Sequence, residues 1–213
     1  MAVNLRGLIA KLNAPTRSAV EAAAGLCLSR TNYDVEIEHF LVKVLDSNDG
    51  DLAAILKHFG INRSRLADDL ARALDRIKTG NARTPTLSPS LVNMLSEGWL
   101  LGSVEFGAPR VRTGHALLAL LSVGELARMA QDISKEFEKI PADVLKKDFA
   151  TITAPSAAAS AELGAIDSAA SSASASSGSG APFLALGSSQ CHSGALELPG
   201  PSAAAEEPSS STC

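Results

Sequence analysis

Apolar residues recur at helical spacing through most of the first 150 positions. Leu5, Leu8, Ile9 and Leu12 fall at i, i+3, i+4 and i+7, which predicts a short helix with one apolar stripe. A helix that short does not hold itself together in water, so it must dock on the rest of the chain. Asn13 is placed to cap a second helix, with Pro15 in its first turn and Val20, Ala23, Ala24 and Cys27 or Leu28 facing inward. A third is predicted from Glu36 to Leu45 and a fourth from Asp51 to Phe59, stopped by Gly60. Asn62 opens a fifth, whose Leu66, Leu70, Leu74 and Ile77 share one face until Gly80. The turn-rich segment from Thr79 to Leu87 then reads as a connector. Ser88-Pro89 starts a helix along which Leu91, Leu95, Trp99 and Gly102 continue one face to Gly107. Thr113 is expected to cap a helix through Leu121, with shorter helices at Glu125 to Asp132 and Ala142 to Phe149. Alternation never persists, so no strand is expected and the fold class is all-α.

The pattern is stated twice. At an offset of 76 residues, Asn13 aligns with Pro89, Val35 with Val111 and His39 with His115. Farther on, the segment 61–66 matches 140–145 with the offset grown to 79. Two repeats are fewer than the roughly three an open solenoid needs. The expected architecture is therefore a pseudo-twofold double four-helix repeat, two half-bundles packed face to face, with an extra amino-terminal helix. Its divisions are 1–12 for the extra amphipathic helix, 13–80 for the first repeat, 81–153 for the second and 154–213 for a tail.

Composition separates that tail from the rest. From Ala154 onward Ser and Ala supply 32 of 60 residues and there is no Lys or Arg, so it lacks the apolar surface to offset its ordering entropy and is expected to be disordered. Removing its five acids leaves 23 − 5 = 18 acidic against 19 basic residues in the first 153. A near-neutral domain of this kind disfavours nucleic acid and anionic membrane as partners. Cys27 stands alone, with Cys191 and Cys213 in the tail, so neither a disulfide framework nor a metal spacing is present. No apolar run approaches the roughly 18 residues of a membrane span, and no signal peptide is visible. A cytoplasmic location is expected, without membrane insertion.

Candidate chemistry is sparse. No phosphate-binding Gly-rich loop occurs, and neither catalytic residues nor a cofactor or metal site are expected. His39 and His115 occupy equivalent repeat positions at helix starts, which is what a structural role predicts; no cluster of Cys, His and carboxylates accompanies either. Glu36 and Glu38 suit the positive end of a helix and are read as a solvated first turn. Trp99 lies on an apolar face and reads as core, and Cys27 as an inert buried thiol. The stripe Leu5, Leu8, Ile9 and Leu12 has two compatible uses: it covers core, and its edge, with a neighbouring helix, forms a groove for a partner's amphipathic helix.

The repeat with Glu38-His39-Phe40-Leu41 and Gly114-His115-Ala116-Leu117-Leu118-Ala119-Leu120-Leu121 resembles the double Clp amino-terminal repeat of the Clp ATPases. Leu12-Asn13, the segments 21–27 and 32–39, Gly80-Asn81-Ala82-Arg83-Thr84-Pro85 and Gly98-Trp99-Leu100-Leu101-Gly102-Ser103 are similar to the branch called ClpV, the type VI secretion unfoldases. Over about residues 1 to 150, the resemblance implies an eight-helix pseudo-twofold domain plus one extra helix. It also implies binding of a helix near the amino terminus of the large contractile-sheath subunit, after which hexameric ATPase rings disassemble and recycle the sheath. Placed on this chain, the implied groove has Leu5, Leu8, Ile9 and Leu12 on one wall and Val92 and Leu95 on the other.

The family continues into two ATPase modules, whereas this chain runs through Ser171 to Gly180 into Pro182-Phe183-Leu184 and a terminal Ser-Thr-Cys. The expectation is a truncated product, read out of frame or given an engineered end, that keeps binding, lacks ATP-driven work and is a monomer. Two alternatives stand beside it. One is a generic Clp chaperone domain meeting adaptors or exposed apolar segments, for which the extra helix is dispensable. The other is a small helical enzyme using His39 or His115. Deleting residues 1 to 12 is expected to abolish helix binding while leaving the fold cooperative.

Overall fold

The computed structural model describes residues 4–156. The expectations of disorder and of a truncated end after that point lie outside the described residues. Nine α-helices run through the described chain: α1 (Leu5–Lys11), α2 (Ala14–Ser29), α3 (Ile37–Asp46), α4 (Asp51–His58), α5 (Arg63–Asp75), α6 (Pro89–Glu105), α7 (Thr113–Ser122), α8 (Gly124–Ile133) and α9 (Ala142–Thr153). A 3₁₀ turn, Lys135–Lys139, sits between α8 and α9. The long apolar stripes meet in one core, with α2 packed on α3 and α6 on α7.

Local chemistry starts most of these helices where the sequence predicts. The Asn13 side chain accepts the Thr16 N–H at 3.0 Å, Asn62 that of Arg65 at 3.0 Å and Ser88 that of Leu91 at 3.2 Å. Each such cap contributes about 1 kcal/mol. Asn13 and Ser88 are thus the equivalent caps, and Asn13 does not align with Pro89; the offset is 75 at the first helix and reaches 76 only by the second. Capping chemistry, rather than proline, fixes the register. Farther along, Asn62 caps α5 and Pro141 precedes α9, which preserves the offset of 79.

Three further expectations are corrected. The chain does contain a strand pair, β1 (Asp34–Val35) and β2 (Thr86–Leu87), parallel and in the register Asp34 to Thr86 and Val35 to Leu87. Two residues are too few to show alternation, so the pattern had nothing to display. The helix expected to reach Gly80 ends at Asp75, because Asn32 draws the following chain aside: its Nδ2 donates to the Lys78 carbonyl at 3.0 Å and bridges toward Ile77. Thr113 is the first residue of α7 and not its cap. Arg112 takes the cap position, its backbone N–H donating to His115 Nδ1 at 3.3 Å.

The pseudo-twofold shows in how the halves are stitched. Leu12, just before α2, bridges in parallel to Val111, just before α7, while β1 before α3 pairs with β2 before α6. Each half thus sends the residue preceding its first helix to the residue preceding the other half's second. The Asn13 N–H donates to the Val111 carbonyl at 2.9 Å, and the Val111 N–H to the Lys11 carbonyl at 2.8 Å. Gly98 and Gly102, one turn apart on α6, permit its close approach to α7: a Cβ at Gly102 would lie 2.7 Å from His115 Nδ1, and one at Gly98 would lie 3.2 Å from the Ala116 Cα.

Polar groups join the halves as well. Asp51, at the start of α4 and without exposure, receives Arg112 Nε at 3.2 Å and Nη2 at 2.6 Å, the Gly114 N–H at 3.0 Å and the Ser156 hydroxyl at 2.5 Å. On another side, Ser134 donates to Asp69 at 2.5 Å, and the buried Glu136 lies 2.7 Å from Lys139 and 3.5 Å from Arg65.

Candidate functional site

α1 begins where Asn4 accepts the Gly7 N–H at 3.2 Å, and it packs along α6. Its stripe divides by depth. Leu8 and Leu12 are buried in the core, Ile9 is half-buried and Leu5 remains 38% exposed. On α6, Leu95 is fully buried and Val92 half-buried. Of the six positions expected to line a groove, Leu8, Leu12 and Leu95 are thus buried in the core, Ile9 and Val92 are half-buried, and Leu5 is exposed. Leu5 and Ile9 are one helical turn apart on one face. The far end of α6 adds two strongly exposed apolar residues, Leu100 at 54% and Val104 at 71%.

Trp99 is only half-buried rather than sealed in the core, and Lys11 Nζ stands 4.9 Å from its ring centroid. That cation–π contact ties the end of α1 to α6. Removing residues 1 to 12 would take Leu8 and Leu12 out of the core together with the Lys11–Val111 bond, so a deletion tests stability as much as binding.

The two histidines occupy matched positions with matched bonds. His39 Nδ1 accepts the Glu36 N–H at 3.1 Å, and His115 Nδ1 accepts that of Arg112 at 3.3 Å. A nitrogen that accepts carries no proton, so each ring is neutral, and His39 Nε2–H donates to Asn32 Oδ1 at 3.1 Å. Burial, followed by the Arg112 cation, lowers the His115 pKa to about 4. Burial and Arg30 lower that of His39. Unfolded histidine titrates near 6.5, so between about pH 6.5 and 4 the unfolded chain takes up protons that the folded one refuses. Stability is accordingly expected to fall as pH drops through that window. His115 alone should contribute a loss of about 2 kcal/mol by pH 5, checked by urea unfolding at pH 7.5 and pH 5.

The remaining singled-out groups are structural in their surroundings. Cys27 is fully buried, its Sγ 3.2 Å from the Asp34 carbonyl, and burial followed by Asp34 and Glu36 raises its pKa. Glu36 and Glu38 are half-buried rather than solvated, and burial raises the Glu38 pKa. Among the described residues no group of three His, Cys, Asp or Glu side chains could hold a metal ion, and no helix is long and apolar enough to cross a membrane.

Two features escaped the sequence. One is a pocket of about 250 Å³ between α2 and α3, lined by Pro15, Ala19, Ala22, Val44, Gly50 and Thr113. The other is the Asp51–Arg112 pair. Its trace in the sequence was a break in the repeat, since Arg112 stands where the first half has Glu36.

Known proteins share this arrangement. The chain is 36% identical over 142 residues to the AAA+ ATPase ClpV1 of Pseudomonas aeruginosa, and 34% identical over 153 residues to the chaperone protein ClpB of Yersinia enterocolitica. Those stretches are 67% and 72% of this chain but only 16% and 17% of the relatives' own lengths. A solved complex of a ClpV N-domain with VipB peptide is 35% identical, with a TM-score of 0.63, and the likeness covers 74% of this chain and 96% of that one. The Clp repeat (R) N-terminal domain matches residues 11–137, and since that match runs over more than half of its length, the chain belongs to this family.

Proposed function

We propose that this chain is a recognition module of the type VI secretion kind. In this reading it binds an amphipathic helix from the amino terminus of the large contractile-sheath subunit, across the outer edge of α1 and α6. The observation that carries the reading is the likeness to a ClpV N-domain solved with VipB peptide. The half-exposed face of Leu5, Ile9 and Val92 supports its placement. A helix laid there would gain most from a few apolar anchors.

Sheath disassembly and recycling would require the ATPase modules of a full-length, hexameric relative, where six presented copies add avidity to single-site binding of micromolar strength. In this reading the matched domain works in the cytoplasm and contributes binding.

The test is calorimetric titration of the full chain with the amino-terminal peptide of the large sheath subunit. Ile9→Glu is the informative variant, because Leu8 is buried and a charge there would unfold the domain. One-to-one binding weakened at least about tenfold by Ile9→Glu, at an unchanged melting temperature, is the expected result; a tenfold loss corresponds to about 1.4 kcal/mol. Full-strength binding by the variant would place the site elsewhere. No binding to the folded chain would favour the generic chaperone reading, in line with the similarity to ClpB.

A further inference from the structure

The chain leaves α9 by a tight turn that points back into the domain. Ala154 and Pro155 are exposed, yet Ser156, which follows them, is only 2% exposed. Its N–H donates to the Thr153 carbonyl at 2.9 Å, and its hydroxyl donates to Asp51 at 2.5 Å and accepts from Arg112 Nη2 at 3.0 Å. Burying a hydroxyl costs free energy unless it is hydrogen-bonded, so the bonds to the charged pair are what make this burial tolerable. The first half fastens the chain after α5 in another way, through Asn32 to the Lys78 carbonyl at 3.0 Å, and it has Glu36 at the position of Arg112. The repeat therefore does not itself require the serine contact.

Arg112 carries this contact toward the amino terminus. It follows Val111 directly, and Val111 is bonded on both sides of Leu12: its N–H donates to the Lys11 carbonyl at 2.8 Å, and its carbonyl accepts the Asn13 N–H at 2.9 Å. The Asp51 carboxylate that holds Ser156 and Arg112 also receives the Gly114 N–H at 3.0 Å. Two links therefore connect the end of α9 to the end of α1, one an ionic cluster and the other a backbone bridge, joined through the peptide between Val111 and Arg112. Contiguous bonded groups of this kind are the physical means by which local opening spreads.

We infer that Ser156 latches the end of α9 to the bridge that carries α1, and that latch and bridge open as one unit. The edge of α1 is thereby coupled to the point where the chain leaves α9. Whatever steadies α1 slows the release of residues 154–156, and release of those residues loosens α1. Coupling between two sites is reciprocal, so either end can be perturbed and the other read. The coupling belongs to the domain without any partner, and it stands or falls separately from the binding face.

The test is native-state hydrogen exchange of the full chain, followed residue by residue by NMR. Ser156→Ala removes the hydroxyl and leaves the backbone bonds in place. The N–H groups of Ser156, Gly114, Val111 and Asn13 are expected to exchange about tenfold faster in this variant, as the loss of a hydrogen bond to charged groups implies. The Leu66 N–H, which donates to the Asn62 carbonyl at 3.0 Å in the buried start of α5, is the reference and should change by less than about twofold. From the other end, Leu8→Ala loosens α1 from the core and should speed the Ser156 N–H by at least about fivefold more than that of Leu66.

Acceleration in Ser156→Ala confined to Ser156 and Gly114, with Val111 and Asn13 unchanged, would overturn the coupling. An equal acceleration at Leu66 would overturn it too, by marking a general loss of stability in place of a local opening. A Ser156 N–H that Leu8→Ala left no faster than the reference would overturn it from the other end.

Discussion

Asp51→Ala is expected to destabilise the domain by about 3–5 kcal/mol, the usual cost of removing one partner from a buried ion pair. Asp51 has no exposure and Arg112 only 8%, and the carboxylate holds the guanidinium by two bonds, at 3.2 and 2.6 Å. It also satisfies the Gly114 N–H at the start of α7 and the Ser156 hydroxyl beyond α9. Alanine would strip the carboxylate bonds from a buried cation and a helix-terminal donor at once. Against a total stability of about 5–15 kcal/mol this is a large fraction, and the melting temperature should fall by roughly 10 °C.

Urea unfolding of the full chain reads the effect, with Asp46→Ala as the control. Asp46 is 64% exposed in its pair with Lys43, and its loss should cost less than about 1 kcal/mol. If Asp51→Ala cost no more than that control, the joint between α4 and α7 would not be the one described.

Phe149→Ala should match that loss by a different route and move a titration as well. The Phe149 ring is 3% exposed, with its centroid 4.8 Å from that of Phe106 and 4.9 Å from that of His115, and the Arg112 guanidinium lies 5.9 Å from its centre. Truncating a buried phenyl group costs about 3–5 kcal/mol through lost transfer energy and the cavity left behind. Burial is the first cause of the low His115 pKa, so opening this wall should let the value climb from about 4 toward the ordinary histidine range. The stability loss between pH 6.5 and 4 should flatten accordingly. NMR titration of the His115 ring protons measures the first effect and urea unfolding against pH the second. A destabilised variant whose His115 still titrated near 4 would show that Phe149 is not what keeps water from the imidazole.

The helices, their caps and the repeat were largely legible because they depend on short-range chemistry. Asn13, Asn62 and Ser88 cap where their side chains reach a backbone N–H three residues on. Leu66, Leu70 and Leu74 fall on one buried face because 3.6 residues make a turn. His39 and His115 showed their structural role by recurring at matched positions, where both accept a backbone N–H. The strand pair was invisible because two residues hold no period. Thr113 misled because it is a favoured capping type, while the bond that starts α7 comes from His115, three residues after the cap.

The proposed binding face was legible only by half. Spacing put Leu5, Leu8, Ile9 and Leu12 on one stripe, yet the stripe itself does not say which of them face another helix. Depth is a property of packing: α6 and the Leu12–Val111 bridge cover Leu8 and Leu12 and leave Leu5 and Ile9 at the surface. By itself the sequence determined periodicity, capping and the twofold repetition, all of which act within a few residues. Tertiary structure alone decided which apolar side chains remain exposed and that Asp51 meets Arg112 across 61 positions, because both depend on where distant segments come to rest.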